Sequence, residues 1–159
     1  MTRLIRVDYR LLHGQVAISW TKTIGADCIL LCNDAVAGDE MRQSMFRLSK
    51  PAGVKLVIKS VADSIAAINS GVTDKYSLFV IVDNLHDARL LAEGCPTAVK
   101  SINLGVLPAK GDTIPLSQAI NVTEADKEDL RAMLAAGVAL EIRQVPTETQ
   151  IKVTSEMLK

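Results

Sequence analysis

The chain has 159 residues, of which 48% are hydrophobic, and its 18 Lys and Arg side chains balance its 18 Asp and Glu side chains. This length fits one domain with a sizeable core, so we expect residues 1–159 to form a single domain. The balanced charge argues against a nucleic-acid-binding protein, which needs a basic surface. No apolar run approaches the roughly 18 residues of a membrane span. No leader-like segment precedes the first strand pattern, so we expect a cytoplasmic protein.

Short apolar runs alternate with helical patterns along the first hundred residues. The predicted strands are 3–7, 28–32, 55–59 and 78–82, and the predicted helices that follow them are 14–23, 38–48, 61–69 and 85–94. Continuous runs rich in Val, Ile and Leu are typical of parallel strands that are buried on both faces of a sheet. Cys28 and Cys32 flank one such run about 13 Å apart, too far for a disulfide, so we expect buried thiols.

The regular alternation of strand and helix patterns ends after Pro96. We predict a fifth strand in AVKSINLG (98–105), short edge strands in TIPL (113–116) and AINV (119–122), a helix over 123–137 that begins with a capping box, and a last strand in VALEIRQVP (138–146). The predicted fold class is therefore α/β, with a mostly parallel, doubly wound open sheet, an antiparallel edge and three α/β/α layers.

Polar residues follow every predicted parallel strand. They are Asp8, Arg10 and His13 after the first, Asn33 and Asp34 after the second, Lys59 and Ser60 after the third, Asp83 and Asn84 after the fourth, and Asn103 and Gly105 in the fifth. The carboxyl ends of parallel strands share one edge of the sheet, where ligands normally bind. Only one of these strand ends carries a histidine.

The segment IRVDYRLLHGQV (5–16) places this histidine at the junction of the first strand and the first helix. The free N–H groups of the first helical turn, from Gly14, Gln15 and Val16, favour an anion and above all a phosphate. Arg10 offers a planar fork for phosphate oxygens, and Asp8 could orient Arg10 or fix the tautomer of the His13 ring. Imidazole is also a nucleophile that can carry a phosphoryl group. Taken alone, the pattern predicts a candidate phosphate or anion site.

The sequence VDYRLLHGQV (7–16), followed by Trp20, resembles the signature of the enzyme IIB components of the mannose, fructose and sorbose family of the bacterial phosphoenolpyruvate-dependent sugar phosphotransferase system. The resemblance continues through 33–56, INLG (102–105) and LRAMLAAGVALEIRQVP (130–146), and the overall length also agrees. It covers nearly the whole chain.

The resemblance implies a phosphocarrier, and hence an enzyme. In this family the histidine at the position of His13 takes a phosphoryl group, on Nδ1 in the mannose-type proteins, from a phosphohistidine of the IIA component. The group then passes to a sugar, here a hexose or amino sugar, during its uptake through the membrane components IIC and IID. Arg10 matches the arginine of the family's active-site loop. Asp8 and Asp34 match acidic positions near it and would order the loop.

The same resemblance implies peripheral association with the membrane transporter. The sequence has neither a nucleotide-binding motif nor a cluster of His, Cys and carboxylates with zinc spacing, so we expect no metal and no cofactor. The chain differs from the family at Tyr9, where a second acidic or polar residue is common, and at Val106, where a glycine is common. We expect His86 to be a surface histidine and Trp20 to be a packing residue. The sugar and a homo-oligomeric state are left open.

One alternative is a non-catalytic anion-binding module that senses a phosphorylated ligand with the same histidine loop. Another is a regulatory protein that accepts phosphate without serving a transporter. Covalency separates the carrier from the sensor, because only a carrier forms an acid-labile, base-stable phospho-adduct.

Overall fold

The computed structural model describes residues 1–159. The chain forms β1 (Thr2–Asp8), α1 (Gly14–Ile24), β2 (Cys28–Cys32), α2 (Asp34–Ala37), α3 (Glu40–Ser49), β3 (Lys55–Lys59), α4 (Val61–Ser70), β4 (Leu78–Val82), α5 (Leu85–Gly94), β5 (Ser101–Val106), β6 (Ile114–Pro115), β7 (Asn121–Val122), α6 (Glu124–Ala135), β8 (Ala139–Ile142), β9 (Ile151–Lys152) and a short 3₁₀ helix (Ser155–Leu158). None of these helices is long and apolar enough to cross a membrane.

Seven strands form one sheet in the order β3-β2-β4-β1-β5-β8-β9. All neighbours pair in parallel except β8 and β9, which are antiparallel. The predicted α/β class, with a mostly parallel sheet and an antiparallel edge, is confirmed. The edge itself differs from the prediction, because β6 and β7 pair with each other in a separate two-stranded sheet. The true edge strand, β9, is only two residues long and was missed.

The core consists of two clusters, one on each face of the sheet. The larger cluster of 27 buried residues packs α4, α5 and α6 against the sheet, and the smaller cluster of 11 buried residues packs α1 and α2 against the other face. Successive residues of β2 alternate between them: Cys28, Leu30 and Cys32 belong to the larger cluster, and Ile29 and Leu31 to the smaller. This alternation is the two-residue period of a strand buried on both faces, and it produces the three predicted layers.

The helix predicted over 38–48 is present as α3 (Glu40–Ser49), and a separate one-turn helix that was not predicted, α2 (Asp34–Ala37), precedes it. The side chain of Asn33 accepts a hydrogen bond from the backbone N–H of Val36 and begins α2. The side chain of Asp39 accepts one from Arg42 and begins α3 one residue after Gly38. The capping box predicted for α6 is present, with reciprocal bonds between Thr123 and Asp126.

The three cysteines are free and buried, as predicted for Cys28 and Cys32. All three, Cys28, Cys32 and Cys95, lie in the larger cluster. Burial raises the pKa of the Cys32 thiol to about 12. These side chains are therefore small hydrophobic groups of the core rather than reactive thiols.

Candidate functional site

Helix α1 begins directly after His13, and it differs from the other α-helices at its first turn. Helices α2 to α6 each begin at a side chain that accepts a hydrogen bond from a first-turn N–H. His13 occupies the N-cap position of α1 in extended geometry (φ −137°, ψ 108°), but its side chain caps nothing. The first-turn N–H groups of Gly14, Gln15 and Val16 therefore have no side-chain partner. This helix end can receive an anion from outside the chain.

The loop between β1 and α1 is fixed by the residues in its middle. Leu11 donates its backbone N–H to the carbonyl of Asp8 at 2.9 Å and is the one non-glycine residue with a left-handed backbone (φ 60°). Leu11 and Leu12 are both buried in the smaller cluster. Their burial holds the strained turn while His13 remains exposed beyond it.

Asp8 is fully buried and holds Arg10 in place through three contacts. Its Oδ1 accepts hydrogen bonds from the backbone N–H of Arg10 at 3.0 Å and from Nε at 3.1 Å, and its Oδ2 accepts one from Nη2 at 3.1 Å. The side chain of Arg10 is one-quarter exposed, so the guanidinium keeps free N–H groups on the solvent side. The hydrogen bond with Asp8 raises the pKa of Arg10, which stays charged.

A second arginine, Arg6, supports Asp8 from inside the sheet. The buried guanidinium donates hydrogen bonds to Asp8 Oδ2 at 3.2 Å, to Asn103 Oδ1 at 2.6 Å and to the carbonyl of Arg143 at 3.1 Å. It also lies 5.4 Å from the centre of the Trp20 ring. Burial lowers the pKa of Arg6, and the ion pair with Asp8 opposes that shift. The result is a continuous Arg6–Asp8–Arg10 chain of ion pairs that runs from the core to the loop.

Gly105 makes room for this chain. A Cβ atom at position 105 would overlap the guanidinium of Arg6, so the strand next to β1 must carry a glycine there. The backbone carbonyl of the neighbouring Val106 accepts a hydrogen bond from the backbone N–H of Tyr9 at 3.1 Å. Position 106 thus contributes a backbone contact to the loop.

A cavity of about 220 Å³ opens beside His13. Its lining combines the loop with one side of α3, namely Arg10, Leu12, His13, Arg42, Met45, Phe46 and Ser49. The guanidinium of Arg42 makes no ion pair within the chain, whereas Arg10 is already paired with Asp8. His13 and two arginines therefore line one small space, and the uncapped helix α1 begins at the next residue, Gly14, which together suit a phosphoryl group.

Asp34 lies at a different strand end and contacts a different loop. Its Oδ1 accepts a hydrogen bond from the backbone N–H of Val61 at 2.8 Å, at the start of α4. Burial raises the pKa of Asp87, and the nearby carboxylates of Asp83 and Asp34 raise it as well. Asp34 thus belongs to an acidic group at the ends of β2 and β4, and its hydrogen bond does not reach the histidine loop.

Two of the site arginines were missed from the sequence. Arg6 stands inside an apolar strand pattern, and the available signal was that a charged residue in a buried strand needs a partner. Arg42 lies within the predicted helix 38–48, but the spacing of residues along a helix does not reveal that this helix borders the cavity of His13. By contrast, Trp20 is a buried packing residue whose Nε1 donates to the carbonyl of Gln144, and the side chain of His86 is 64% exposed, both as predicted.

Comparison with known families gives a match over almost the entire chain. The family model described as "PTS system sorbose subfamily IIB component" matches residues 2–159. The mannose-specific EIIAB component of the phosphotransferase system (PTS) of Escherichia coli K12 is 32% identical over 149 residues, 94% of this chain. The chain spans only 46% of that relative's length. The fructose-specific EIIB component of Bacillus subtilis is 30% identical, over 91% of this chain and 88% of its own length.

Solved structures give the same result at the level of the fold. The crystal structure of the IIBSor domain of the sorbose permease from Klebsiella pneumoniae superposes with a TM-score of 0.92 at 26% identity. The superposition covers 99% of this chain and 96% of that domain. Mannose, fructose and sorbose thus all occur in the names of similar proteins.

Proposed function

The chain belongs to the sorbose subfamily of IIB components of the phosphotransferase system, and from this membership we propose that it is a phosphocarrier that works through His13. IIB components are phosphotransferases of sugar transport, so the reaction class follows from the family. The donor in this proposal is the phosphorylated IIA component, and the acceptor is a hexose or amino sugar during uptake through IIC and IID. The fusion named EIIAB in Escherichia coli supports a functional link to IIA.

In the first step, a ring nitrogen of His13 attacks the phosphorus of the phosphohistidine on IIA. A new N–P bond forms at His13 as the N–P bond of the donor breaks, and the donor imidazole leaves with the bonding electron pair. Such a transfer demands positioning and charge stabilisation more than any other chemistry. Arg10 neutralises the equatorial phosphoryl oxygens, and the N–H groups of Gly14, Gln15 and Val16 donate to them.

In the second step, a sugar hydroxyl attacks the same phosphorus. The O–P bond forms, the hydroxyl proton is released, and the His13 ring leaves as the N–P bond breaks. Asp8 acts in both steps as a positioning residue, because its three hydrogen bonds hold Arg10 at the open side of the loop. We propose no contact of Asp34 with the phosphoryl group, since its bond goes to Val61.

One observation carries this proposal. His13 stands at the one α-helix of the chain whose N-terminus has no side-chain cap, in the same cavity as Arg10 and Arg42. A histidine with a merely structural role would be expected to cap the helix or to be buried in a packed position. An exposed imidazole beside two cations and free N–H groups is suited to hold a dianion on its ring.

We further propose that residues 1–159 act as one IIB domain in the cytoplasm, in peripheral contact with IIC and IID at the membrane. Similar proteins are named after mannose, sorbose and fructose. Because one family thus serves different sugars, we propose that the transporter, and not this chain, selects the sugar. A homo-oligomer is compatible with the proposal but is not required for the chemistry at His13.

The test is intact-mass spectrometry at neutral to alkaline pH. The protein is incubated with phosphoenolpyruvate, the general phosphotransferase proteins and the IIA component of the same operon. We expect one acid-labile phosphoryl group that maps to His13, and none on the His13→Ala variant, which should keep the circular dichroism of the wild type. Absence of the adduct on the wild-type protein, with a IIA component that is itself phosphorylated, would favour the anion-sensing alternative instead.

A further inference from the structure

Helix α3 is attached to the domain mainly by polar contacts. Gln43 donates to the carbonyl of Val36 at 2.9 Å, and Arg47 donates to the carbonyl of Leu56 at 3.0 Å. Phe46 packs against the smaller cluster, but no residue of α3 is fully buried. The side of the helix that faces the protein is therefore not its most apolar side.

The apolar side of α3 faces solvent. Met41, Met45 and Leu48 are 76%, 61% and 89% exposed, and their spacing of four and three residues puts them in one row on the helix surface. We call this row the α3 stripe. A row of three large exposed hydrophobic side chains on one helix is unusual for a surface with no partner, and packing within the domain does not explain it.

The α3 stripe borders the cavity of His13. Met45 belongs to the stripe and also lines that cavity together with Arg42. A protein that brings a phosphoryl group to the exposed ring of His13 must approach the open side of this cavity. It would then cover the adjacent stripe as well.

We propose that the α3 stripe is the docking surface for the phosphorylated IIA component, a proposal that rests on the carrier function of His13. The charge of the cavity indicates which partner docks on the stripe, the phosphoryl donor IIA or the sugar transporter that accepts the group. When His13 is free, the Arg6–Asp8–Arg10 chain has two guanidinium groups for one carboxylate and Arg42 has no ion-pair partner, so the cavity has an excess of positive charge that attracts a partner carrying a phosphoryl dianion. When the sugar transporter is engaged, the phosphoryl group is already on His13 and neutralises this excess positive charge. The cationic cavity with its apolar border therefore matches the donor.

The experiment replaces the two stripe residues that do not line the cavity. The double variant Met41→Gln, Leu48→Gln keeps good helix formers at both positions, and Val72→Gln is the matched control, an exposed apolar residue before β4 at the opposite end of the sheet. The initial rate of His13 phosphorylation is measured against the concentration of phosphorylated IIA. We expect KM to rise about 10- to 100-fold in the double variant, as for loss of two buried apolar side chains at an interface, with kcat unchanged and KM unchanged in the control.

Three results would overturn the docking proposal while leaving the carrier function intact. One is an unchanged KM in a double variant that still takes up one phosphoryl group. Another is a wild-type dimer that the double variant dissociates in sedimentation equilibrium, because a second copy would then occupy the stripe. The third is a normal donor step with impaired sugar phosphorylation in transporter vesicles, which would assign the stripe to the membrane components. A wild-type protein that takes no phosphate from phosphorylated IIA would refute both proposals together.

Discussion

Asp8 is the residue on which the geometry of the histidine loop depends. A fully buried carboxylate is costly unless it is paired, and Asp8 is paired twice, with Arg6 below and Arg10 above. Because burial and Arg6 fix the position of Asp8, the contacts with Asp8 also restrict the motion of the exposed Arg10 side chain. Arg10 therefore meets a phosphoryl group in a fixed orientation, and little side-chain entropy is lost when the group arrives.

Removal of the Arg10 side chain should slow the carrier without unfolding it. We expect Arg10→Ala to lower the rate of His13 phosphorylation roughly 10²- to 10³-fold, the usual loss for one preorganised charge stabiliser. The rate of the Arg10→Lys variant should lie between those of the wild type and Arg10→Ala, because an ammonium group keeps the charge but cannot form the forked contact with Asp8. Single-turnover transfer from phosphorylated IIA measures both. Rates like those of the wild type in Arg10→Ala would rule out the role assigned to this side chain.

Gly105 gives a way to disturb Arg6 without changing any charge. An added methyl group overlaps the Arg6 guanidinium, so Gly105→Ala must displace Arg6 from Asp8 and Asn103. We expect a loss of about 1–3 kcal/mol in the free energy of unfolding, as for overpacking of a core, and slower phosphoryl transfer. Denaturant unfolding and single-turnover transfer measure the two effects. Gly111→Ala, at an exposed position with nothing within 4 Å of the added carbon, serves as the control.

At the scale of elements, prediction from sequence succeeded where one signal dominated. The bounds of β2, β3 and β4 agree with the prediction, because each is an uninterrupted apolar run with polar residues on both sides. It failed where the element was too short. The four residues of α2 and the two residues of β9 are too few to show a helical or strand period. The position of Arg42 beside His13 depends on how α3 packs against the histidine loop, which no periodicity in the sequence specifies.

The uncapped start of α1 predicts a conflict between stability and function. An Asp side chain at position 13 would accept a first-turn N–H in the extended geometry already present (φ −137°, ψ 108°). We therefore expect His13→Asp to raise the free energy of unfolding by about 0.5–2 kcal/mol over His13→Ala, while both variants lose phosphorylation. Chemical denaturation compares them, and Thr123→Ala at the start of α6 should show a loss of similar size. Equal stability of the two His13 variants would mean that these N–H groups gain nothing from a cap.

At the scale of the whole molecule, the sheet order explains where the histidine loop lies. The chain leaves β1 through α1 on one face and leaves β4 through α5 on the other, while β1 and β4 are neighbours in the sheet. The loops after these two strands therefore diverge and leave a crevice at their carboxyl ends, where open α/β sheets bind ligands. The resemblance in sequence identified His13, and the winding of the chain supplies the reason why a phosphoryl group has access to it.

The division of the core gives each helical layer its own natural reporter. Trp20 is the only tryptophan and belongs to the smaller cluster, while all three cysteines belong to the larger one. Because the Cys32 pKa is about 12 in the folded protein, its thiol reacts only when that layer opens. We expect tryptophan fluorescence and thiol labelling to give the same midpoint in guanidinium chloride, as for one cooperative unit. Earlier thiol labelling would mean that the larger layer opens first. The unmodified protein thus carries an optical probe on one face of its sheet and chemical probes on the other.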